Sequence, residues 1–281
     1  AANSYRKDQF LITREKLDNI PEYLNKLKVL SNAYFYYEDS CNLTHFDDED
    51  VSVLMLGYIL DIRDSNKNFN DILENLTLEY KKSRDSFYHA LDFLNGRYII
   101  IVNNSEDTQI FTDATSMKPI YYWNQEVFGS HEVIVRETVS IEKQLTLKTR
   151  WTNGYMDYTG TQSIYKFNCN NYFSFKENKF NRYFPRFEIE NQSAEEIAEK
   201  TIPLLKEQVK WLSNLDKTLY LSLTGGVDSK VSLAILKSIK SKLNLFTYLI
   251  DFEKEKDGPR KDIYLRDKEL VDRLVYNFDL N

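Results

Sequence analysis

The pattern of hydrophobic residues changes near residue 187, and this change constrains the fold more than any other feature of the chain. Before it, short runs rich in β-branched and aromatic residues alternate with polar turns, which is typical of β-strands. After it, strand-like and helix-like segments alternate, which is typical of βαβ units on a parallel sheet. The 281-residue chain is therefore predicted to contain two regions of different class.

The first region is predicted to be an α+β sandwich, because many strands occur in series with few helices. Its predicted strands are residues 9–13, 33–38, 51–60, 97–102, 108–112, 120–123, 163–167 and 171–176. Its predicted helices are residues 68–81 and 86–94.

The second region opens with a helix signal. Ser193 and Glu196 fit a capping box, in which each side chain satisfies a backbone amide at the helix end. The helix is expected to run to about Leu212, with a kink or a later start because of Pro203. A strand (218–223), a helix (228–241), a strand (244–250) and a helix (264–278) are predicted to follow. We therefore predict domains at 1–189 and 190–281, the second being part of an α/β parallel-sheet domain.

Composition and charge exclude several classes of partner. The formal net charge is -6 and no block of Lys or Arg occurs, which argues against nucleic-acid binding. The longest apolar stretch, residues 51–60, is too short to span a bilayer, which needs about 20 residues. Cys41 and Cys169 are the only cysteines, and a reduced, cytoplasmic location is expected. A homo-oligomer is compatible with the sequence, which does not predict its size.

One loop carries a chemical signal. In TLYLSLTGGVDSK (218–230) a strand-like run leads through Gly225 and Gly226 toward a predicted helix. Backbone amides at such a helix start attract anions, and the glycines are expected to permit close approach and positive φ. Thr224 and Ser229 would add hydroxyls, while Asp228 would cap the helix or help to hold a metal ion. The spacing fits neither a Walker A loop nor G-x-G-x-x-G, and a simple Gly-Gly turn is the alternative.

LTGGVDS (223–229) resembles the S-G-G-x-D-S pyrophosphate loop of the ATP pyrophosphatases, which include the asparagine synthetase family. The resemblance implies that this loop binds the β and γ phosphates of ATP. The implied phosphate-binding residues are Thr224, Gly225, Gly226, Asp228 and Ser229. It also implies a Mg²⁺ site at Asp228 and Asp267, although Asp267 also fits a helix-start residue that favours the helix dipole. Lys230 matches nothing in the motif and is left out.

The first region resembles the same family. LNGRYIIIVNNSEDTQIFTDATSMKPIYYW (94–123) is similar to the L-x-G-x-[FY] and D-x-x-G-x-x-P-L-Y-Y stretch of asparagine synthetases, with Ser116 at the usual glycine. FGSHE (128–132) resembles the following F-A-S-E, and residues 160–185 resemble the stretch that closes in R-Y-[YF]-P. The resemblance implies a class II glutamine amidotransferase sandwich (Ntn type), with two antiparallel sheets between helix layers.

Departures from this pattern predict that the first region does not hydrolyse glutamine. Such a glutaminase uses an N-terminal Cys as its nucleophile, whereas this sequence begins Ala1-Ala2-Asn3. Cys41 lies among acidic residues, which are expected to raise its pKa. LGYILD (56–61) aligns with the family's oxyanion segment N-G-E-[IVL]-[YF]-N, and Leu56 then replaces the oxyanion-binding Asn.

The resemblance implies an ATP-dependent ligase that adenylates a small-molecule or peptide carboxylate and passes it to ammonia or an amine. Lasso-peptide cyclases and β-lactam synthetases are relatives of this type. The alternative is a non-catalytic binding or assembly module descended from an asparagine synthetase. So few residues follow Lys230 that the synthetase region is expected to be incomplete, and the Lys-, Asn-, Ile- and Tyr-rich composition indicates an AT-rich bacterial genome.

Overall fold

The computed structural model describes residues 7–151 and 156–280, which form two compact units. Unit 1 comprises the described residues up to Asp61 together with Lys67–Asn191. Unit 2 comprises Ile62–Asn66 and the described residues from Gln192 onward. None of the helices in the described ranges is both long and apolar enough to cross a bilayer.

Unit 1 contains twelve strands and three helices among its described residues. The strands are β1 (Phe10–Thr13), β2 (Lys26–Val29), β3 (Tyr34–Tyr37), β4 (Leu43–Asp47), β5 (Val51–Asp61), β6 (Leu94–Asn104), β7 (Thr108–Thr112), β8 (Tyr121–Trp123), β9 (Val127–Gly129), β10 (Ile164–Lys166), β11 (Asn171–Ser174) and β12 (Lys179–Arg182). The helices are α1 (Phe69–Lys82), α2 (Arg84–Leu91) and α3 (Glu132–Glu142).

The strands of unit 1 form two six-stranded sheets. The first has the order β10-β8-β9-β1-β3-β2, and the second has the order β12-β11-β7-β6-β5-β4. All the neighbouring pairs are antiparallel. Two antiparallel sheets with accompanying helices are the architecture predicted for the first region.

The hydrophobic core explains how these layers stack. One cluster lies between the two sheets and joins Phe10 and Phe128 of the first to Leu54 and Phe173 of the second. A second cluster joins the other face of the second sheet to α1 and α2. A third joins the other face of the first sheet to α3. Unit 1 is therefore a four-layer sandwich, with its two sheets between helix layers.

The strands that the sequence missed are short. β2, β4 and β12 are sheet edges, where a strand has a partner on one side only and carries charged or polar residues that blur the alternation. β9 has three residues. Helix α3 was also missed, because its Val, Ile and Thr residues favour strands; packing of Ile134, Val135 and Val139 on the sheet overrides that preference.

Unit 2 contains three helices and two strands among its described residues. They are α4 (Ala194–Asn214), β13 (Leu219–Ser222), α5 (Val227–Leu236), β14 (Leu243–Phe246) and α6 (Pro259–Phe278), and a 3₁₀ turn, Lys237–Lys242, links α5 to β14. The Ser193–Glu196 capping box is present. The helix begins directly after it, so the later start considered for Pro203 is wrong.

β13 and β14 pair in parallel, from Leu219 opposite Leu243 to Ser222 opposite Phe246. The connection through α5 makes this pair one βαβ unit. The second predicted strand, 244–250, was too long, because β14 ends at Phe246. The last helix starts at Pro259, not at 264, because proline is well suited to the first helical position, where no backbone amide is needed.

Candidate functional site

The candidate phosphate loop lies at the carboxyl end of β13. Leu223, the first residue after the strand, is fully buried, and its amide donates a 2.8 Å hydrogen bond to the carbonyl of Phe246. The chain then turns through residues 224–226 and enters α5 at Val227. The carboxyl ends of parallel strands are where open α/β sheets bind ligands, because strand ends and helix starts meet there.

Two hydroxyls hold the loop together. The Ser229 Oγ accepts a hydrogen bond from the Thr224 amide at 3.1 Å and lies 3.2 Å from the Thr224 Oγ1. The Thr224 Oγ1 also accepts from the Gly226 amide at 3.1 Å. The loop is therefore closed by its own side chains, and Thr224 and Ser229 have a structural role in addition to the predicted ligand-binding role.

Gly225 is closely packed against two side chains of α6. A Cβ added to Gly225 would lie 2.4 Å from the Asp267 Oδ1 and 2.9 Å from the Leu270 Cδ1. The positive φ expected for the two glycines is wrong, since neither Gly225 nor Gly226 adopts it, and Gly226 is extended at φ -68° and ψ 161°. A side chain at position 225 would have to displace the ends of the Asp267 and Leu270 side chains of α6.

That contact brings the second predicted metal residue to the loop. Asp267 lies well inside α6, which begins at Pro259, so the alternative of a helix-start residue is wrong. Its carboxylate packs against Gly225, whereas Asp228 is exposed in the first turn of α5. In the described ranges, no group of three or more His, Cys, Asp or Glu side chains is arranged to hold a metal ion. Two carboxylates nevertheless suit Mg²⁺, which takes one or two in nucleotide sites and completes its shell with phosphate and water oxygens.

The start of α5 has room for an anion. Its N-cap residue is Gly226, and no side chain caps this end among the described residues. Val227, the first helical residue, is 71% exposed. The first-turn amides of a helix have no partner within the helix, and the helix dipole favours negative charge beside them. The geometry of the loop therefore suits a phosphate group.

Leu56 lies in the segment that resembles the oxyanion segment of asparagine synthetases. It lies in β5, between Leu43 of β4 and Ile99 of β6, and it belongs to the buried cluster between the sheets. An aliphatic side chain there can donate no hydrogen bond to an oxyanion. The neighbouring Gly57 keeps a positive φ of 105°, and a Cβ on it would lie 2.1 Å from the carbonyl oxygen of Arg97.

Cys41 is not a reactive thiol in this fold. It is buried in the same cluster as Leu56, and its Sγ donates to the carbonyl of Gln9 at 3.3 Å. Burial raises its pKa to about 12, and the acidic neighbours Asp8 and Glu38 contribute less. The pKa is raised as predicted, but chiefly by desolvation. The predicted departure at Ala1-Ala2-Asn3 lies outside the described residues.

The segment that resembles D-x-x-G-x-x-P is a tight loop closed by its aspartate. Asp113 is buried and accepts hydrogen bonds from the amides of Thr115, Met117 and Lys118 at 2.9–3.1 Å. Ser116, which stands where glycine is usual, has a φ of 51°. The serine therefore adopts the left-handed conformation that glycine favours.

The similarities of this chain to known proteins are structural and distant. No protein-family model and no curated protein match the sequence. Similar solved structures are an allosteric regulatory enzyme of purine biosynthesis (12% identity, TM-score 0.38) and the glutamine phosphoribosylpyrophosphate amidotransferase of B. subtilis (12% identity, TM-score 0.37). They match over 92% and 93% of this chain, which spans 64% of each of them. Similarities this distant do not define the fold of the chain, and the fold of unit 1 is defined by its own sheet topology.

Proposed function

We propose that the chain belongs to an asparagine synthetase-like ligase that uses ATP to form an amide bond. The observation that carries the proposal is the T-G-G-V-D-S loop at the carboxyl end of β13, with Asp267 packed on its second residue. ATP would supply the activation, since transfer of AMP to a carboxylate releases pyrophosphate and leaves an acyl group that ammonia or an amine can take.

The role of the loop would be to hold the two phosphates that leave. The first-turn amides of α5 would donate to phosphate oxygens, and Gly225 and Gly226 would let the backbone come close to them. Thr224 and Ser229 would keep these amides in position, because their hydroxyls already bind the loop backbone. Asp228 and Asp267 would bind Mg²⁺, which neutralises the charge of the phosphates.

The nitrogen donor would not be glutamine hydrolysed by unit 1. The buried Leu56 cannot stabilise an oxyanion, and Cys41 is a buried, neutral thiol. Free ammonia or the amino group of a second molecule would be the acceptor of a small-molecule or peptide acyl group. A cytoplasmic location is part of this proposal, since ATP and reduced cysteines belong there.

A second candidate is a non-catalytic binding or assembly module. It is favoured by the large apolar side chains that remain exposed on and next to the two strands of unit 2: Tyr220 is 70% exposed, Phe246 40% and Tyr248 64%. Parallel sheets are ordinarily covered on both faces, so such side chains provide a surface for another protein.

Calorimetric titration of the full chain with ATP and Mg²⁺ separates the two candidates. The ligase proposal predicts saturable binding that Asp228→Ala weakens at least tenfold, about 1.4 kcal/mol. Asp216→Ala is the matched control, because Asp216 is also an exposed aspartate of unit 2. The absence of ATP binding, or equal binding by both variants, rejects the phosphate loop and leaves the module.

A further inference from the structure

Lys230, in the first turn of α5, is not part of the phosphate-loop motif, but its side chain lines a cavity. The cavity lies between α5 and α6 in unit 2 and has a volume of about 420 Å³. This is within the range of small-molecule sites, roughly 300–1,000 Å³. The side chains that line it indicate which kind of ligand it would bind.

The walls are apolar. They are formed by the side chains of Leu233 and Ala234 on α5, Leu274 and Phe278 on α6, and Leu280 beyond it. Leu233 and Leu274 also belong to the small hydrophobic cluster that joins the two helices. An aliphatic or aromatic group of a ligand would therefore continue an existing apolar contact instead of displacing a polar one.

The remaining lining residues are three lysines, which differ in whether their ammonium groups contact other residues. Lys240 is used by the fold, because its Nζ donates to the backbone carbonyls of Phe278 and Asp279 at 2.8 and 3.1 Å. In the described ranges, the side-chain Nζ atoms of Lys230 and Lys237 have no hydrogen-bond or ion-pair partner. The cavity has no acidic lining residue, although the chain as a whole carries an excess of six negative charges. Two ammonium groups beside an apolar cavity complement a ligand with an anionic head and an apolar tail.

We propose that this cavity binds an aliphatic monocarboxylate of medium chain length. The tail lies between Leu233 and Leu274, and the carboxylate binds to Lys230 and Lys237. A carboxylate is proposed because its negative charge complements the two lysines. An aliphatic tail is proposed because the walls of the cavity are apolar. The proposal does not depend on ATP binding by the loop, and either proposal can fail alone.

The test is a titration of the full chain with decanoate, below its micelle concentration, by calorimetry without ATP. One saturable site is expected. Octanoate should bind several-fold more weakly, since each buried methylene contributes up to about fourfold in affinity. The variant Lys230→Gln/Lys237→Gln should weaken decanoate binding at least tenfold. The matched variant Lys217→Gln/Lys256→Gln, which removes two exposed lysines elsewhere in unit 2, should leave it unchanged.

A second variant tests the apolar wall. Ala234→Trp should block the tail and remove the difference between decanoate and octanoate, while both lysines are kept. The proposal is overturned if decanoate does not bind, if the two lysine variants bind it equally, or if decanol binds as well as decanoate does.

Discussion

The two units differ in how they are packed. Unit 1 buries three clusters of apolar side chains: one lies between the two sheets, and the other two lie between a sheet and its helix layer. Unit 2 has two small clusters, and only six apolar side chains in its described part are buried: Val209, Leu223, Leu233, Ile239, Leu243 and Val271. Buried apolar area is the main source of folding stability, so most of the stability of the chain belongs to unit 1.

The candidate ligand-binding side chains are distributed in the opposite way, with more of them in unit 2. In unit 1, Leu56 and Cys41 lie in the buried cluster between the sheets. In unit 2 the loop has two hydroxyls, one closely packed glycine and the carboxylate of Asp228, and Asp267 of α6 packs against that glycine. The chain therefore joins a densely packed unit to a lightly packed unit that carries the candidate phosphate loop.

The largest expected effect is in the core of unit 1. Phe128 is fully buried, and its ring lies 4.6 Å from that of Phe173 and 5.4 Å from that of Phe175. Phe128→Ala should lower the free energy of unfolding by about 3–5 kcal/mol in urea denaturation. The control Phe187→Ala, at a side chain that is 57% exposed, should cost less than about 1 kcal/mol. Equal losses would contradict the account of the buried core of unit 1, on which its share of the stability rests.

The next effect tests the close packing in unit 2. Gly225→Val should force Asp267 and Leu270 away from the loop and cost about 1–3 kcal/mol, with loss of ATP binding. Gly226→Ala is the control in the same loop, because its backbone is extended and its nearest contact, the Thr224 Oγ1, is at 3.2 Å. Circular dichroism during urea titration measures stability, and calorimetry measures ATP affinity. If Gly225→Val is as stable as Gly226→Ala, the packing argument is wrong.

A smaller effect is expected at the hydroxyl pair. Ser229→Ala removes the acceptor of the Thr224 amide and should cost about 0.5–1.5 kcal/mol of stability. Affinity for ATP should fall with it, because the loop loses its closure. Ser238→Ala, at an exposed serine of the 3₁₀ turn, should change neither quantity. An unchanged ATP affinity in Ser229→Ala would show that the hydroxyl pair does not organise the site.

The last effect concerns Cys41, and it is absent at neutral pH and grows only as the pH becomes alkaline. Its folded-state pKa is raised to about 12, whereas an unfolded thiol has a pKa near 8.5. The unfolded state therefore loses its proton first, and the stability contributed by the neutral thiol is complete below about pH 8.5 and is lost as the pH rises toward 12.

Cys41→Ala should reduce the fall in stability between about pH 8.5 and 10.5, measured by urea denaturation at each pH. At pH 8 iodoacetamide should modify the half-buried Cys169 of the native chain before Cys41. Rapid modification of Cys41 in the native chain would contradict its burial, and with it the conclusion that Cys41 is not a reactive thiol in this fold.

The sequence predicted the central strands well and the edges poorly. β5 and β6 are long, apolar and paired on both sides, so their pattern is strong. β2 and β12 are four-residue edge strands with lysine and arginine, whose pattern is weak because one side lacks a partner. Helix α3 shows the complementary error, since contacts from distant strands determine its form.

The candidate site was likewise predictable where its residues are close in the sequence and not where distant residues meet. The order strand, glycine loop, helix was readable at residues 218–230 because all of it is local in the chain. The reason for Gly225 was not readable, because it depends on Asp267, which is brought in by α6 from elsewhere in the sequence. The start of α6 was marked by Gly258-Pro259, a signal that the sequence contained and that would have placed Asp267 inside the helix.

The most direct test of the central claim is the response of the loop amides to pyrophosphate. In ¹H–¹⁵N NMR spectra of the full chain, pyrophosphate with Mg²⁺ should shift the amide signals of Gly225, Gly226, Val227 and Asp228 most strongly. Asp228→Ala should reduce these shifts at the same concentration. A spectrum in which these four signals stay in place while pyrophosphate is added would contradict the assignment of residues 224–229 as a phosphate-binding loop.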